Sequence, residues 1–284
     1  MNTEEAEYVV IGESFAGISA ALSLASRDRV VLLDFHRDTD AIVDLPRVQS
    51  TSLHRTTTGV AFEEVVNSRL KRAGIERQTS CYITSVKSAR NVIVECTEQR
   101  WSCKGVVFAP NGTEPGLGAS SSLHGFGVSY SAGSDASFYR GRRVAVYGDA
   151  PRAIEHAWIA AQYASEVLVL LKGSIAQGDA ELINDLRSSS AVTFNMGVIV
   201  HALRAGDDGT LSSIDIETPT ARRAIDVDAL FVAQHLVPAT DVIRGECADG
   251  IVLAGLAAGI DYWNHPALVN DGVRAAHTLL AVRS

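Results

Sequence analysis

The stretch YVVIGESFAGISAALSLASRDRVVLLD, Tyr8–Asp34, decides the fold. An apolar run, Tyr8–Ile11, meets a glycine turn, then an Ala-rich helical segment, then a second apolar run, Val30–Leu33. Neither run alternates with polar residues, which suits strands of a parallel sheet covered on both faces. The turn between them reads Gly12-Glu13-Ser14-Phe15-Ala16-Gly17. Gly12 permits a tight turn, and Gly17 permits close contact between helix and strand. The middle position, where glycine lets the backbone approach a pyrophosphate, carries Ser14, which is small and able to donate a hydrogen bond. Asp34 closes the second strand, where an acid can hold a ribose through its hydroxyls. The unit reads as dinucleotide-binding.

The pattern recurs in RVAVYGDAPRAIEHAWIAAQYASEVLVLLKG, Arg143–Gly173. Here the middle position is Ala150, and Asp149 puts a negative charge beside the phosphate site. The second strand ends at Lys172-Gly173 with no ribose acid. Lys172 either meets a 2′-phosphate or stays solvated, so NAD(P)H binding in this unit is left open. Two such units predict an α/β chain of two Rossmann-like three-layer domains. NVIVECTEQRWSCKGVVFAP, Asn91–Pro110, reads as strand, turn, strand and a further apolar strand, leaving through the Gly/Pro-rich NGTEPG. Val192 to Ala233 read as strands joined by a Gly-Asp-Asp-Gly turn. The tail from Asp249 reads as strand, Gly-rich loop and amphipathic helix. The first domain is therefore discontinuous: 1–115 with 244–284, around an inserted 116–243.

Composition narrows the function. The 284 residues are 46% hydrophobic and carry a net charge of −8. That balance argues against nucleic acid or an anionic membrane as the main partner. Cys81, Cys96, Cys103 and Cys247 form no C-x-x-C pair and no zinc-type spacing, so no metal site is expected and the thiols read as buried or indifferent in a reducing compartment. The opening MNTEEAEYVVIG lacks a basic region and a long apolar run, and no stretch approaches the ~20 apolar residues of a membrane span. A cytoplasmic protein is expected.

The order of parts resembles the low-molecular-weight thioredoxin reductases, and in particular thioredoxin-reductase-like flavoproteins whose first turn reads G-x-S-x-A-G, as Gly12, Ser14, Ala16 and Gly17 do. GVVFAPNGTEP stands at the family's A-T-G stretch, and GVSYSAGSDASFY at its redox C-x-x-C-[D/H]. GIVLAGLAAG stands at its G-D motif beside FAD, and DGVRAAHTLL at its last helix. The resemblance implies FAD on the first and last segments, through Gly12, Ser14, Gly17, Asp34 and Gly255, and a nicotinamide site in the inserted domain. It also implies a homodimer through the tail. The departures are specific. The redox cysteines fall on Ser131 and Ser134, the G-D aspartate on Leu256, and the A-T-G threonine on Pro110 or Asn111. The arginines that read NADPH are missing after Leu171.

Three residues then stand out as catalytic candidates. Asp135 survives at the family's acid position, where a partly desolvated carboxylate serves as acid or base. Tyr130, with His124, flanks the same linker. His265 lies in the dense segment Asp261-Tyr262-Trp263-Asn264-His265-Pro266. Ser131, His124 and Asp135 are the residue types of a hydrolase triad, but no nucleophile-elbow motif accompanies them. The expectation is an FAD-dependent oxidoreductase for a small molecule, not a disulfide. The alternatives are a flavin-free scaffold doing acid–base chemistry such as isomerisation or cyclisation, and a non-catalytic partner of an active paralogue.

Overall fold

The structure, a computed structural model, describes residues 2–26, 28–35, 45–46, 48–49, 56–79, 81–113, 115, 117, 122–149, 151–244, 250–261 and 264–282. Ala150, Cys247, Tyr262 and Trp263, singled out from the sequence, lie outside them. Two compact units emerge: residues 1–43, 47–113 and 236–284, and residues 44–46 and 114–235. The chain returns to the first unit at Leu236, because Thr113 and Val237 exchange both backbone hydrogen bonds, at 2.8 and 2.9 Å.

The first unit begins with β1 (Asn2–Ile11), α1 (Phe15–Leu24) and β2 (Val30–Leu33). A short ribbon, β3 (Val48–Gln49) with β4 (Thr56–Thr57), precedes α2 (Gly59–Arg72) and β5 (Glu76–Gln78). A hairpin of β6 (Ile83–Ser88) and β7 (Val92–Cys96) leads into β8 (Gln99–Phe108). The second unit holds β9 (Val128–Ser129), the one-turn α3 (Ala132–Asp135), β10 (Arg143–Gly148), α4 (Arg152–Ala160) and β11 (Glu166–Leu171). It continues with α5 (Ala180–Ser188), β12 (Val192–Met196), β13 (Ile199–Ala205), β14 (Leu211–Glu217), β15 (Arg222–Asp226) and β16 (Ala229–Ala233). The first unit then resumes with β17 (Ile243–Arg244), β18 (Ile251–Leu253) and α6 (His265–Val282).

Parallel pairing runs β5-β2-β1-β8-β18 in the first unit and β12-β11-β10-β16-β9 in the second. The strand that leads into each glycine turn, β1 in the first unit and β10 in the second, is central, which puts the turn at the carboxyl end of its sheet. The apolar runs are explained by their two faces. Val9, Ile11, Val31, Leu33, Val106 and Phe108 pack with the β6–β7 hairpin. α6 lies close on the opposite face, where a Cβ on Gly105 would come 2.6 Å from Leu279. In the second unit Val144, Val146, Val167 and Val169 meet α4 and α5, while their neighbours Ala145, Tyr147, Leu168 and Leu170 meet the antiparallel sheet β13-β14-β15. Each unit is therefore a three-layer α/β sandwich.

One expectation is corrected. The two strands foreseen after the turn within Asn91–Pro110 are a single ten-residue strand, β8. Its first half pairs antiparallel with β7 and its second half parallel with β18. The burial pattern changes with the neighbour, from alternating to continuous, and that change mimics a strand break in the sequence.

Candidate functional site

The first turn is built by backbone packing. Gly12 has φ +100°, donates its N–H to Leu33 O at 2.9 Å, and leaves no room for a side chain: a Cβ would lie 2.4 Å from Ala109 O. A Cβ on Gly17 would lie 2.0 Å from Gly12 O. Ser14 is the N-cap of α1. Its Oγ accepts from Gly17 N at 3.0 Å and donates to Ala109 O at 2.6 Å. The hydrogen bond that Ser14 was expected to offer is thus spent inside the fold, tying the turn to the end of β8. What remains for an anion is the first turn of α1, where backbone N–H groups and the helix dipole point outward.

Around that turn stand an aromatic group and a charged group. Phe15 stacks on His265 with centroids 4.5 Å apart and 22° between planes, and it tilts against Phe62 at 5.3 Å. His265 opens α6 behind Asn264, whose Oδ1 accepts from Ala267 N at 3.2 Å. The imidazole is buried, and neither Nδ1 nor Nε2 has a hydrogen-bond partner among the described residues. Burial pushes its pKa down to about 4, so the ring is neutral near pH 7. A neutral ring carries one N–H donor and one bare acceptor. Both stand unsatisfied beside the glycine turn.

On the other side, Asp34 follows β2 and donates its N–H to Gln78 O at 3.0 Å. Arg77 of β5 forks onto both carboxylate oxygens of Glu13 and donates to Asn67 Oδ1 at 2.7 Å. Glu13 above all, with Glu63 and Asp34 behind it, raises the guanidinium pKa further. Sequence reasoning missed this pair, since no motif links residues so distant in the chain. It also missed Asp271. That carboxylate is buried, accepts from Gly255 N at 2.8 Å, and takes two bonds from Arg274 at 2.9 and 2.6 Å. The available signal was an acid within the otherwise apolar helical spacing of Leu268, Gly272, Ala275 and Leu279.

Gly255 itself has φ +63°, and a Cβ there would lie 2.8 Å from Ala16 Cβ. Leu256 follows in a short 3-10 turn and packs over Gly112, whose own Cβ would meet Leu256 Cδ2 at 2.7 Å. The position carries no polar atom in its side chain.

The second turn is arranged differently. Asp149 Oδ2 accepts from His235 N at 2.9 Å and lies 3.4 Å from Lys172 Nζ, which also reaches Gln234 Oε1 at 3.3 Å. Lys172 is thus paired with Asp149 while its side chain stays 40% exposed. Arg152, at the start of α4, is 3% exposed and donates to Gln234 O at 3.1 Å and Tyr130 O at 3.5 Å.

In the linker, Ser131 caps α3 by accepting from Ser134 N, and the two hydroxyls are 3.2 Å apart. Asp135 is half-buried and donates its N–H to Ser131 O at 3.2 Å. Burial, and then the Asp135 charge, raises the Tyr139 phenol pKa. The rings of Tyr130 and His124 are 5.3 Å apart. Asp135, Tyr130 and His124 belong to the second unit, and His265, Gly12, Ser14, Gly17, Asp34 and Gly255 to the first.

Comparison with known proteins bears on the fold and the family. The chain is similar to thioredoxin reductase of Vibrio cholerae, 24% identical over 257 residues, covering 86% of this chain and 80% of the relative. Its fold matches thioredoxin reductase of Lactococcus lactis, with TM-score 0.86 and 17% identity over 98% of this chain and 99% of that one. It also matches thioredoxin reductase of T. acidophilum, with TM-score 0.85 and 19% identity over 98% of both chains. The family model described as pyridine nucleotide-disulphide oxidoreductase matches residues 6–253. With most of its length so matched, the chain belongs to the pyridine nucleotide-disulphide oxidoreductase family.

Proposed function

We propose that the protein is an FAD-dependent oxidoreductase that acts on a small molecule and does not reduce disulfides. The observation that carries this reading is the linker. Ser131 and Ser134, at the sequence spacing of a redox C-x-x-C pair, hold their hydroxyls 3.2 Å apart, and that of Ser131 caps a helix turn. A hydroxyl pair cannot pass electrons to a disulfide substrate, because it forms neither a mixed disulfide nor a disulfide.

The first turn fits FAD. Gly12 and Gly17 leave the backbone bare, α1 presents its N-terminus, Asp34 stands at the ribose end, and the imidazole of His265, without a hydrogen-bond partner among the described residues, lies beside the turn. Bound FAD would supply hydride acceptance or donation. The chain's own residues would do the rest. Gly12, Gly17 and the first turn of α1 bind the pyrophosphate, and Asp34 orients the ribose. His265 offers a neutral donor or acceptor, and Asp135 with Tyr130 holds or accepts a proton at the linker. The second turn does not fit a nicotinamide dinucleotide. The Asp149 carboxylate, fixed by His235 N and Lys172, would face a second set of negative charges. The protein works as a homodimer.

A flavin-free reading is favoured by one observation, the apolar Leu256 packed over Gly112. The absorbance of the purified protein separates the two. Flavin bands that survive gel filtration support the proposal, and a colourless protein that stays colourless with excess FAD overturns it. The second half of the proposal is tested by NADPH-dependent reduction of a model disulfide. No turnover above background is expected, and turnover would refute the reading.

A further inference from the structure

The linker carries Ser131 and Ser134, and the fold brings two thiols together elsewhere. Cys81 and Cys96 read from the sequence as indifferent thiols. Cys81 lies just before β6 and Cys96 ends β7. In the antiparallel hairpin Ile83 stands opposite Cys96, and Thr97 N donates to Tyr82 O at 3.0 Å, so pairing continues past the strand end. Cys81 and Ile83 are buried with exposed Tyr82 between them. Cys81 and Cys96 are therefore diagonal neighbours on one face of the hairpin. Their sulfurs are hydrogen-bonded at 3.1 Å. A disulfide needs a sulfur separation of about 2 Å, so the remaining gap is on the order of 1 Å.

We propose that Cys81 and Cys96 are a redox modification site that closes to an intramolecular disulfide when the protein meets a peroxide. Cys81 is the attacking sulfur. It is the more exposed of the two, at 8% against 2%. The bond with Cys96 lowers its pKa, while the same bond and burial raise that of Cys96. The Cys81 thiolate attacks one peroxide oxygen. The O–O bond breaks, the departing hydroxide takes a proton and leaves as water, and Cys81 becomes a sulfenic acid. The Cys96 sulfur then attacks the Cys81 sulfur, the S–O bond breaks, and the hydroxyl leaves as a second water with the Cys96 proton. Two thiols lose two electrons, and one peroxide gains them. The third described thiol, Cys103, takes no part. It lies 3.5 Å from Val92 O on the next strand.

The site is separate from the flavin proposal, because its test reads thiols and not cofactor or turnover. Purified protein is treated with hydrogen peroxide, unfolded, alkylated with N-ethylmaleimide and analysed by intact mass and non-reducing peptide mapping. Two of the four thiols are expected to disappear together. A peptide joining Cys81 to Cys96 should appear, and dithiothreitol should restore both thiols. Cys81→Ser and Cys96→Ser should each abolish the cross-link, and Cys103→Ser should leave it intact. Four alkylated thiols after oxidation, or a cross-link made through Cys103 or Cys247, would overturn the proposal. The wild-type map decides the question even if a variant folds poorly.

Discussion

The two glycine turns follow the same chain order and sit at the same place on their sheets, and each carries an acid after its first glycine, but the acids are held differently. In the first, side chains withdraw. Ser14 turns inward to Ala109 O, Glu13 is clamped by Arg77, and two positions admit no Cβ. In the second, side chains fill the turn. Asp149 takes the His235 N–H and faces Lys172, while Arg152 is buried against Gln234 O and Tyr130 O. A Rossmann-like layout alone does not define a dinucleotide site. The side chains at the mouth of the turn decide whether backbone N–H groups meet a ligand or the protein's own carboxylate.

The harshest way to break the comparison is Gly12→Ala. The new methyl would sit 2.4 Å from Ala109 O at φ +100°. Strain and overpacking together should cost about 3 kcal/mol and abolish flavin retention. Gly74→Ala is the control, since Gly74 has φ +68° with nothing within 4 Å, and it should cost only about 1 kcal/mol. Urea unfolding and the absorbance of the purified variants check both. Flavin retained by Gly12→Ala would show that the first turn is not the binding turn.

His265 gives the next largest effect. Its folded pKa of about 4 lies below the unfolded value of ~6.5. The unfolded chain therefore binds the proton first as pH falls. The stability associated with the neutral ring is complete above pH ~6.5 and is lost progressively toward pH 4. The loss should reach about 3 kcal/mol across that window. His265→Phe keeps the stack on Phe15 and should remove this part of the slope. Chemical denaturation of both proteins across the window measures the difference. Equal slopes would mean that the imidazole is not held neutral by burial.

Much of this was legible in the chain, and the division has a physical basis. Apolar runs, Gly12 and Gly17 are local signals, because a parallel strand buried on both faces and a turn without room for Cβ constrain residues in place. The failures are non-local. Glu13 meets Arg77, Gly255 meets Asp271, and Cys81 meets Cys96 only because strands and helices far apart in the chain align. Ser14 shows a subtler limit. Its position in the turn was legible, but the direction of its hydroxyl depends on Ala109, which arrives from β8.

Leu256→Asp sharpens the first turn's side of the comparison. A carboxylate there would offer one charged hydrogen bond to the cofactor, worth ~1.5–3 kcal/mol. FAD affinity should rise by about one to two decades, measured by fluorescence titration of the apoprotein. The same change leaves a buried carboxylate without a partner when FAD is absent, so the variant's apoprotein should be less stable than the wild type. An unchanged affinity would mean that the cofactor's chain does not run past Leu256.

The smallest effect is expected at the second turn. Asp149→Asn keeps an amide oxygen to accept from His235 N and removes only the charge. The Asp149 side chain is 34% exposed and Lys172 40%, so their pair is screened by water and contributes at most about 1 kcal/mol. Stability should therefore barely change. Binding of NADPH, followed by calorimetry, should be undetectable in the wild type. In the variant it should improve by less than about tenfold, because Arg152 stays buried and the turn keeps its packing. A larger gain would make the single charge of Asp149 the whole barrier. The second turn would then be a dinucleotide site held off by one residue. Tight NADPH binding by the wild type would remove the contrast between the two turns.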